Sequence, residues 1–251
     1  MEKSNYENAK EEADKIDDKI IEALESGKSF RVEAGAGSGK TYSLNKVIDW
    51  IQKNKNDDLI AKKQKIACIT YTNAAVNVIS ERLSSDSSVT PSTIHSFAWE
   101  NMRQFQSSLI KIAEELSLLP KEYSILDITA VSYTLGVRYI ENGILYLYHD
   151  DVIKLFVKLL ENTKFRRFLS FNIPIILIDE YQDSFKSIID QFIALFIASG
   201  TGPQFGFFGD SWQTIYGSNG ACGLVEHDNI QIINSTFAFG FYLQNACNNA
   251  V

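Results

Sequence analysis

Eight consecutive residues, Ala34, Gly35, Ala36, Gly37, Ser38, Gly39, Lys40 and Thr41, have the composition of a loop that wraps phosphate, with Ala34 in the first glycine slot. Glycines let successive backbone N–H groups curl toward one anion. A lysine brings a point charge to the β- and γ-phosphates, and the threonine hydroxyl is a hard ligand for Mg²⁺. Such a loop needs a second, acidic centre near the metal, and residues 175 to 183, IILIDEYQD, supply one at the end of an apolar run. There Asp179 would hold Mg²⁺ through water. Glu180 would orient and deprotonate an attacking water, since phosphoryl transfer asks for positioning and charge neutralisation more than for covalent help. A third cluster, Gly209, Asp210, Ser211, Trp212, Gln213, Thr214, Ile215 and Tyr216, again follows an apolar run. Gln213 would hydrogen-bond a γ-phosphate and sense its hydrolysis, while Trp212 and Tyr216 would pack in a core or meet a base.

These clusters do chemistry together only if strands and helices carry them to one edge of a sheet. Residues 5 to 26 place Ile16, Ile20, Ile21 and Leu24 at helical spacing and stop at Gly27. A short strand over Phe30 to Ala34 leads into the glycine run. A helix follows it, with Leu44, Val47, Ile48 and Ile51 on one face. KIACIT (65 to 70) reads as a buried strand, followed by a helix to about Leu83, and TIHSFAWENMRQF as a further helix. Residues 105 to 150 show mixed patterns and are treated as a helical insertion, an inserted subdomain within one domain spanning 1 to 251. Residues 151 to 169 read as one helix, IPIILIDE as a central parallel strand, 185 to 199 as a helix, and Phe205 to Phe208 and Ile230 to Ile233 as strands. Alternating strands and helices predict an α/β fold with a mostly parallel sheet flanked by helices, whose strand ends share one ligand edge.

Composition narrows the partners. The apolar share is 45% and the chain carries 16 Phe and 11 Tyr, which excludes a disordered tail. The formal net charge is -7, so no basic coat for nucleic acid is present and any DNA contact is local. Cys68, Cys222 and Cys247 are scattered without a C-x-x-C pair, as expected for a reduced, cytoplasmic setting. The longest apolar runs, Ile173 to Ile178 and Phe192 to Ala198, fall far short of the roughly 20 residues of a membrane span.

Taken in order, AGAGSGKT, TYTN (70 to 73), STIHSF (92 to 97), IDEYQD (178 to 183) and GDSWQTIYG (209 to 217) resemble motifs I, Ia, Ib, II and III of superfamily 1 DNA helicases of the UvrD/Rep/PcrA type. The similarity covers roughly positions 30 to 251. It implies a P-loop NTPase of RecA-like fold that binds ATP and Mg²⁺, hydrolyses ATP and moves on single-stranded DNA. By this resemblance Tyr71, Asn73, His95 and Tyr216 would touch the strand, by stacking and without reading sequence. Helicase-like subunits of phage-defence systems such as Gabija share these motifs, so a defence role is also implied.

Several positions depart from the family. Ala74 stands where a Lys usually follows TN, and the acidic chain predicts weak DNA binding by itself. Asn219 and Ala238 stand where the family places arginines, the second of which reaches the γ-phosphate. No glutamine motif for adenine is recognisable before the glycine loop. Motifs V and VI are not found, so movement along DNA is expected only with a second helicase half. The alternative is a catalytically weak, ATP-dependent interaction subunit that docks on a partner protein such as a nuclease.

Overall fold

The computed structural model describes residues 5–34, 40–210 and 222–235. Helix α1 (Asn5–Glu25) stops at Gly27, whose φ of 70° turns the chain back into strand β1 (Ser29–Ala34). Helix α2 (Lys40–Asn54) buries Leu44, Val47, Ile48 and Ile51, the four positions its periodicity singles out. The short helix α3 (Asn56–Ala61) precedes strand β2 (Ile66–Thr70), buried along its whole length. Helix α4 (Asn73–Ser80) is capped by Thr72, whose hydroxyl accepts from the Ala75 N–H at 3.2 Å.

Strand β3 (Val89–Thr93) lies just before and at the start of the helix read from TIHSFAWENMRQF, in a stretch for which no strand is predicted from sequence. It holds Pro91, which is compatible with pairing because β3 lies at the sheet margin and needs donors on one side only. Helix α5 (Ile94–Met102) follows directly.

Residues 105 to 150 contain helix α6 (Gln106–Glu115) and then strands β4 (Ala130–Tyr133), β5 (Tyr139–Glu141) and β6 (Ile144–Leu147), which form a three-stranded sheet of order β4-β6-β5. The insertion is therefore part helix and part sheet. Its Leu109, Ile112, Ala113, Val131, Leu145 and Leu147 join the same hydrophobic core as Ile69, Ile176 and Ile178.

The helix expected over 151 to 169 is two helices, α7 (His149–Leu160) and α8 (Thr163–Asn172). Asn162 breaks it, because its side-chain oxygen accepts from the N–H groups of Lys164 and Phe165 at 2.9 and 3.3 Å and starts a new helix. Strand β7 (Ile175–Asp179), helix α9 (Lys186–Phe192) with a π-helical turn at Ile193–Ile197, strand β8 (Gln204–Gly209) and strand β9 (Ile230–Ser235) complete the described chain.

The main sheet has six strands in the order β3-β2-β7-β8-β1-β9, all pairings parallel. Alternate residues of the central strands divide the core in two. Ile176, Ile178, Phe205 and Phe207 face the helices α5, α7 and α8, whereas Leu177 and Phe208 join Phe30, Val32 and the buried face of α2. Each fully buried Phe or Ile contributes on the order of 1.5–3 kcal/mol of transfer free energy, so the sheet is fixed from both sides. That rigidity matters because parallel strands expose all their carboxyl ends together: Ala34, Thr70, Asp179 and Gly209 end at one edge. Among the described residues, Cys68 and Cys222 are thiols without a disulfide, and no helix is long and apolar enough to cross a membrane.

Candidate functional site

Lys40 opens α2 directly beyond the glycine run, and Asp179 ends β7, with β8 lying between β1 and β7. Two strand spacings, roughly 10 Å, separate the exits of β1 and β7, a gap that a lysine side chain can cross. It does so. The Lys40 Nζ stands 3.2 Å from Glu180 Oε2, and its side chain is only 10% exposed. Glu180 has φ 48° and ψ 48°, a left-handed conformation that costs a non-glycine residue about 1–3 kcal/mol and turns β7 abruptly into the 3₁₀ turn Tyr181–Asp183. That turn is what brings the Glu180 carboxylate back to Lys40. Thr41, the second residue of α2, is exposed at the same edge. A separate cavity of about 1230 Å³ lies at the amino ends of the strands, lined by Ser29, Ile175, Gln204 and Ile230, away from these residues.

Burial pushes the Asp179 carboxyl up to about 6. The neighbouring Glu180 charge pushes in the same direction, while the Glu180 backbone N–H, donating to Asp179 Oδ1 at 3.1 Å, and the Lys40 ammonium hold it down. The Lys40 ammonium thus compensates this acid only in part. A partly buried carboxylate at the tip of β7 and a threonine hydroxyl in the first turn of α2 are hard oxygen donors, which suit Mg²⁺, an ion that keeps several waters and uses few protein ligands. The residues present fit this ion in their chemistry, and Asp179 and Thr41 would hold it. Among the described residues no cluster of three or more His, Cys, Asp or Glu forms a denser cage.

The raised Asp179 value has a stability consequence. Below the ordinary carboxyl range both folded and unfolded chains carry this proton, so its contribution to stability is fully present there. As pH rises through about 6, the unfolded chain has already ionised and that contribution is lost. Asp179→Asn removes the effect. In chelator-treated protein the variant should match the parent near pH 4 and exceed its unfolding free energy by up to about 3 kcal/mol above pH 6. Denaturant midpoints across that range test this, and a difference independent of pH counts against it.

The two residues after Glu180 were not assigned roles from sequence, yet both are buried at this edge. The Tyr181 hydroxyl donates to Glu33 Oε2 at 2.7 Å, and Glu33 in turn pairs with Arg31 at 3.0 Å, whose guanidinium donates to the Val225 carbonyl. Burial and the Glu33 carboxylate both raise the Tyr181 phenol, so it stays a donor. Tyr181 on the β7 exit thus reaches across β8 to β1. It can do so because Gly209 stands in between: a Cβ there would lie 2.5 Å from the Tyr181 ring and 2.3 Å from Gln182 Oε1. The signal available in the sequence was the close spacing of DEYQD and GDSWQ to strand ends, without any indication of which polar residues meet.

Of the residues expected to meet DNA, Tyr71 is 53% exposed at the exit of β2 and Asn73 is exposed at the start of α4. His95 differs from the expectation. Its ring is 8% exposed and stacks on His149, with ring centroids 3.3 Å apart, while Phe185 meets it edge-on. Burial first, and the His149 charge second, push it down to about 4, so it is a neutral packed side chain. The cause is the inserted segment, which delivers His149 onto α5, with Tyr133 bonded to His149 Nδ1 at 2.6 Å. Ala34 is described as the last residue of β1, paired with Ser235. Gly35, Ala36, Gly37, Ser38, Gly39, Trp212, Gln213, Tyr216, Asn219 and Ala238 lie outside the described residues.

With this geometry in place, comparison with known proteins is informative. The AAA domain family matches the chain over residues 17–219. Gabija protein GajB of Bacillus cereus (strain HuB5-5) is 36% identical over 108 residues, a stretch that is 43% of this chain and spans only 16% of that protein's length. In shape the chain is similar to the crystal structure of Pif1 helicase from Candida albicans, with a TM-score of 0.40 and 12% identity over 93% of this chain and 43% of that one.

Proposed function

The chain belongs to the AAA domain family, and on that premise we propose that it is the ATP-binding and ATP-hydrolysing first RecA-like half of a UvrD-type DNA helicase, acting on single-stranded DNA when completed by a second motor domain. Lys40 and Thr41, with the backbone of residues 34 to 39, bind the phosphates. Asp179 and Thr41 hold Mg²⁺, which when bound neutralises charge on the phosphates. Glu180 is the general base for the attacking water, and Gln213 senses the γ-phosphate. On the DNA side, Tyr71 and Asn73 with Tyr216 supply the contacts, weakly for this chain alone. His95 takes no direct part while His149 covers it.

The observation that carries this reading is the approach of Lys40 to the Glu180 carboxylate beside the partly buried Asp179, which brings a lysine to an acidic pair far from it in sequence at one sheet edge. Steady-state ATPase with Mg²⁺, measured with and without single-stranded DNA, tests it. Turnover that rises with DNA is expected, and tight ATP binding with no turnover under either condition would overturn it.

That second outcome is the one expected of an ATP-dependent interaction subunit of a defence complex, which docks on a partner protein such as a nuclease. The similarity to Gabija protein GajB over 108 residues, together with Asn219 and Ala238 where the resembled helicases carry arginine, favours keeping this reading.

A further inference from the structure

Gln182 has no part in the roles above, yet it is 1% exposed and every polar atom of its amide is spoken for. Its nitrogen donates to Glu180 Oε2 at 2.8 Å and to Asp183 Oδ2 at 3.3 Å, and its oxygen accepts from the Asp210 backbone N–H at 3.2 Å. Chemistry fixes this orientation. Two carboxylates only accept and a backbone N–H only donates, so the flipped amide would face like against like at all three contacts. Gly209 leaves the space in which the amide oxygen sits, since a Cβ there would approach it to 2.3 Å.

We propose that Gln182 is a positioning residue that holds the Glu180 carboxylate in place for water activation and ties that carboxylate to the exit of β8. This rests on Glu180 being the base, as read above. Lys40 and Gln182 both contact the same oxygen, Oε2, and among the described residues no group donates to Oε1. On this proposal Oε1 is the oxygen that takes the proton of the reacting water. When phosphates draw the Lys40 ammonium away, the Gln182 amide is the contact that remains, and it keeps the carboxylate from swinging on its left-handed residue. The other end of the amide reads Asp210, the residue that joins β8 to the segment containing Gln213. The base and the exit of β8 are coupled through one side chain.

Two variants of the full chain separate the two ends of the amide. Gln182→Met keeps the shape and loses both ends. It should lower kcat by about 10–100-fold, the usual effect of removing a supporting contact from a catalytic group, with KM and ATP affinity changed less than about twofold. Exchange of the Asp210 amide hydrogen should accelerate. Gln182→Glu still accepts from Asp210 but turns a carboxylate toward Glu180, so kcat should fall at least as far while Asp210 exchange stays at the parent rate. Should the Met variant fail to fold, the Glu variant alone decides. A normal kcat in a variant that binds ATP normally overturns the proposal, as does a parallel loss of affinity and turnover, which would mark Gln182 as a packing residue. A parent chain that binds ATP without hydrolysing it sinks the ATPase reading instead. Asp210 exchange then decides the tether on its own, with an unchanged rate in Gln182→Met overturning it.

Discussion

Lys40→Ala should abolish measurable ATP binding in the presence of Mg²⁺ while leaving the fold intact. The Lys40 ammonium reaches the acidic corner, at 3.2 Å from Glu180, and its side chain is nearly covered. Without it, a triphosphate would have to settle beside Asp179 and Glu180 against two uncompensated carboxylates. An ion pair near a protein surface at about 4 Å is worth roughly 4 kcal/mol, which corresponds to nearly a thousandfold in Kd. Calorimetric titration with Mg·ATP measures this directly, and unchanged affinity in the variant would remove the site. The same substitution also withdraws the charge that holds the Asp179 carboxyl down, so the pH range over which unliganded protein loses stability should move further upward. If Lys40 binds phosphate as proposed, Glu180 and phosphate compete for one ammonium, and nucleotide binding would release the carboxylate.

What the residues alone disclose about this site is set by how local each requirement is. A glycine run between a strand and an amphipathic helix needs only neighbouring positions, which is why Lys40 at the head of α2 and Asp179 at the tip of β7 stand where the motifs predict. The Tyr181–Glu33 contact joins positions 148 apart and depends on the strand order β7-β8-β1 and on the missing side chain of Gly209. Neither is encoded near Tyr181. His95 shows the same limit from the other direction. Its own helix would leave it near an exposed edge, but His149 is brought over it by the path of an insertion whose weak patterns mix one helix with three short strands. The edge strand with Pro91 and the break at Asn162 are missed for a milder reason: a polar or proline residue reads as an interruption until the pairing partner or the capped N–H groups are known.

Glu180→Gln should retain ATP and lose turnover, with kcat down by about 10²–10⁴-fold, the range for loss of a general base. The substitution preserves length and shape, so the left-handed turn at residue 180 and the backbone N–H that donates to Asp179 are kept. The new amide oxygen can still accept from Lys40 and from the Gln182 nitrogen, the two contacts now made by Oε2. What disappears is proton affinity at the second oxygen, where no described residue donates. Binding should hold or tighten: desolvation first and the Glu180 charge second raise the Asp179 carboxyl, and removing that charge relieves the second cause and lowers the negative charge facing the phosphates. Single-turnover hydrolysis measured beside equilibrium binding separates the possibilities. Normal turnover would strip Glu180 of its role, whereas affinity and turnover falling together would mean that the carboxylate serves the phosphate pocket through its pairing with Lys40 and that the water is activated from elsewhere.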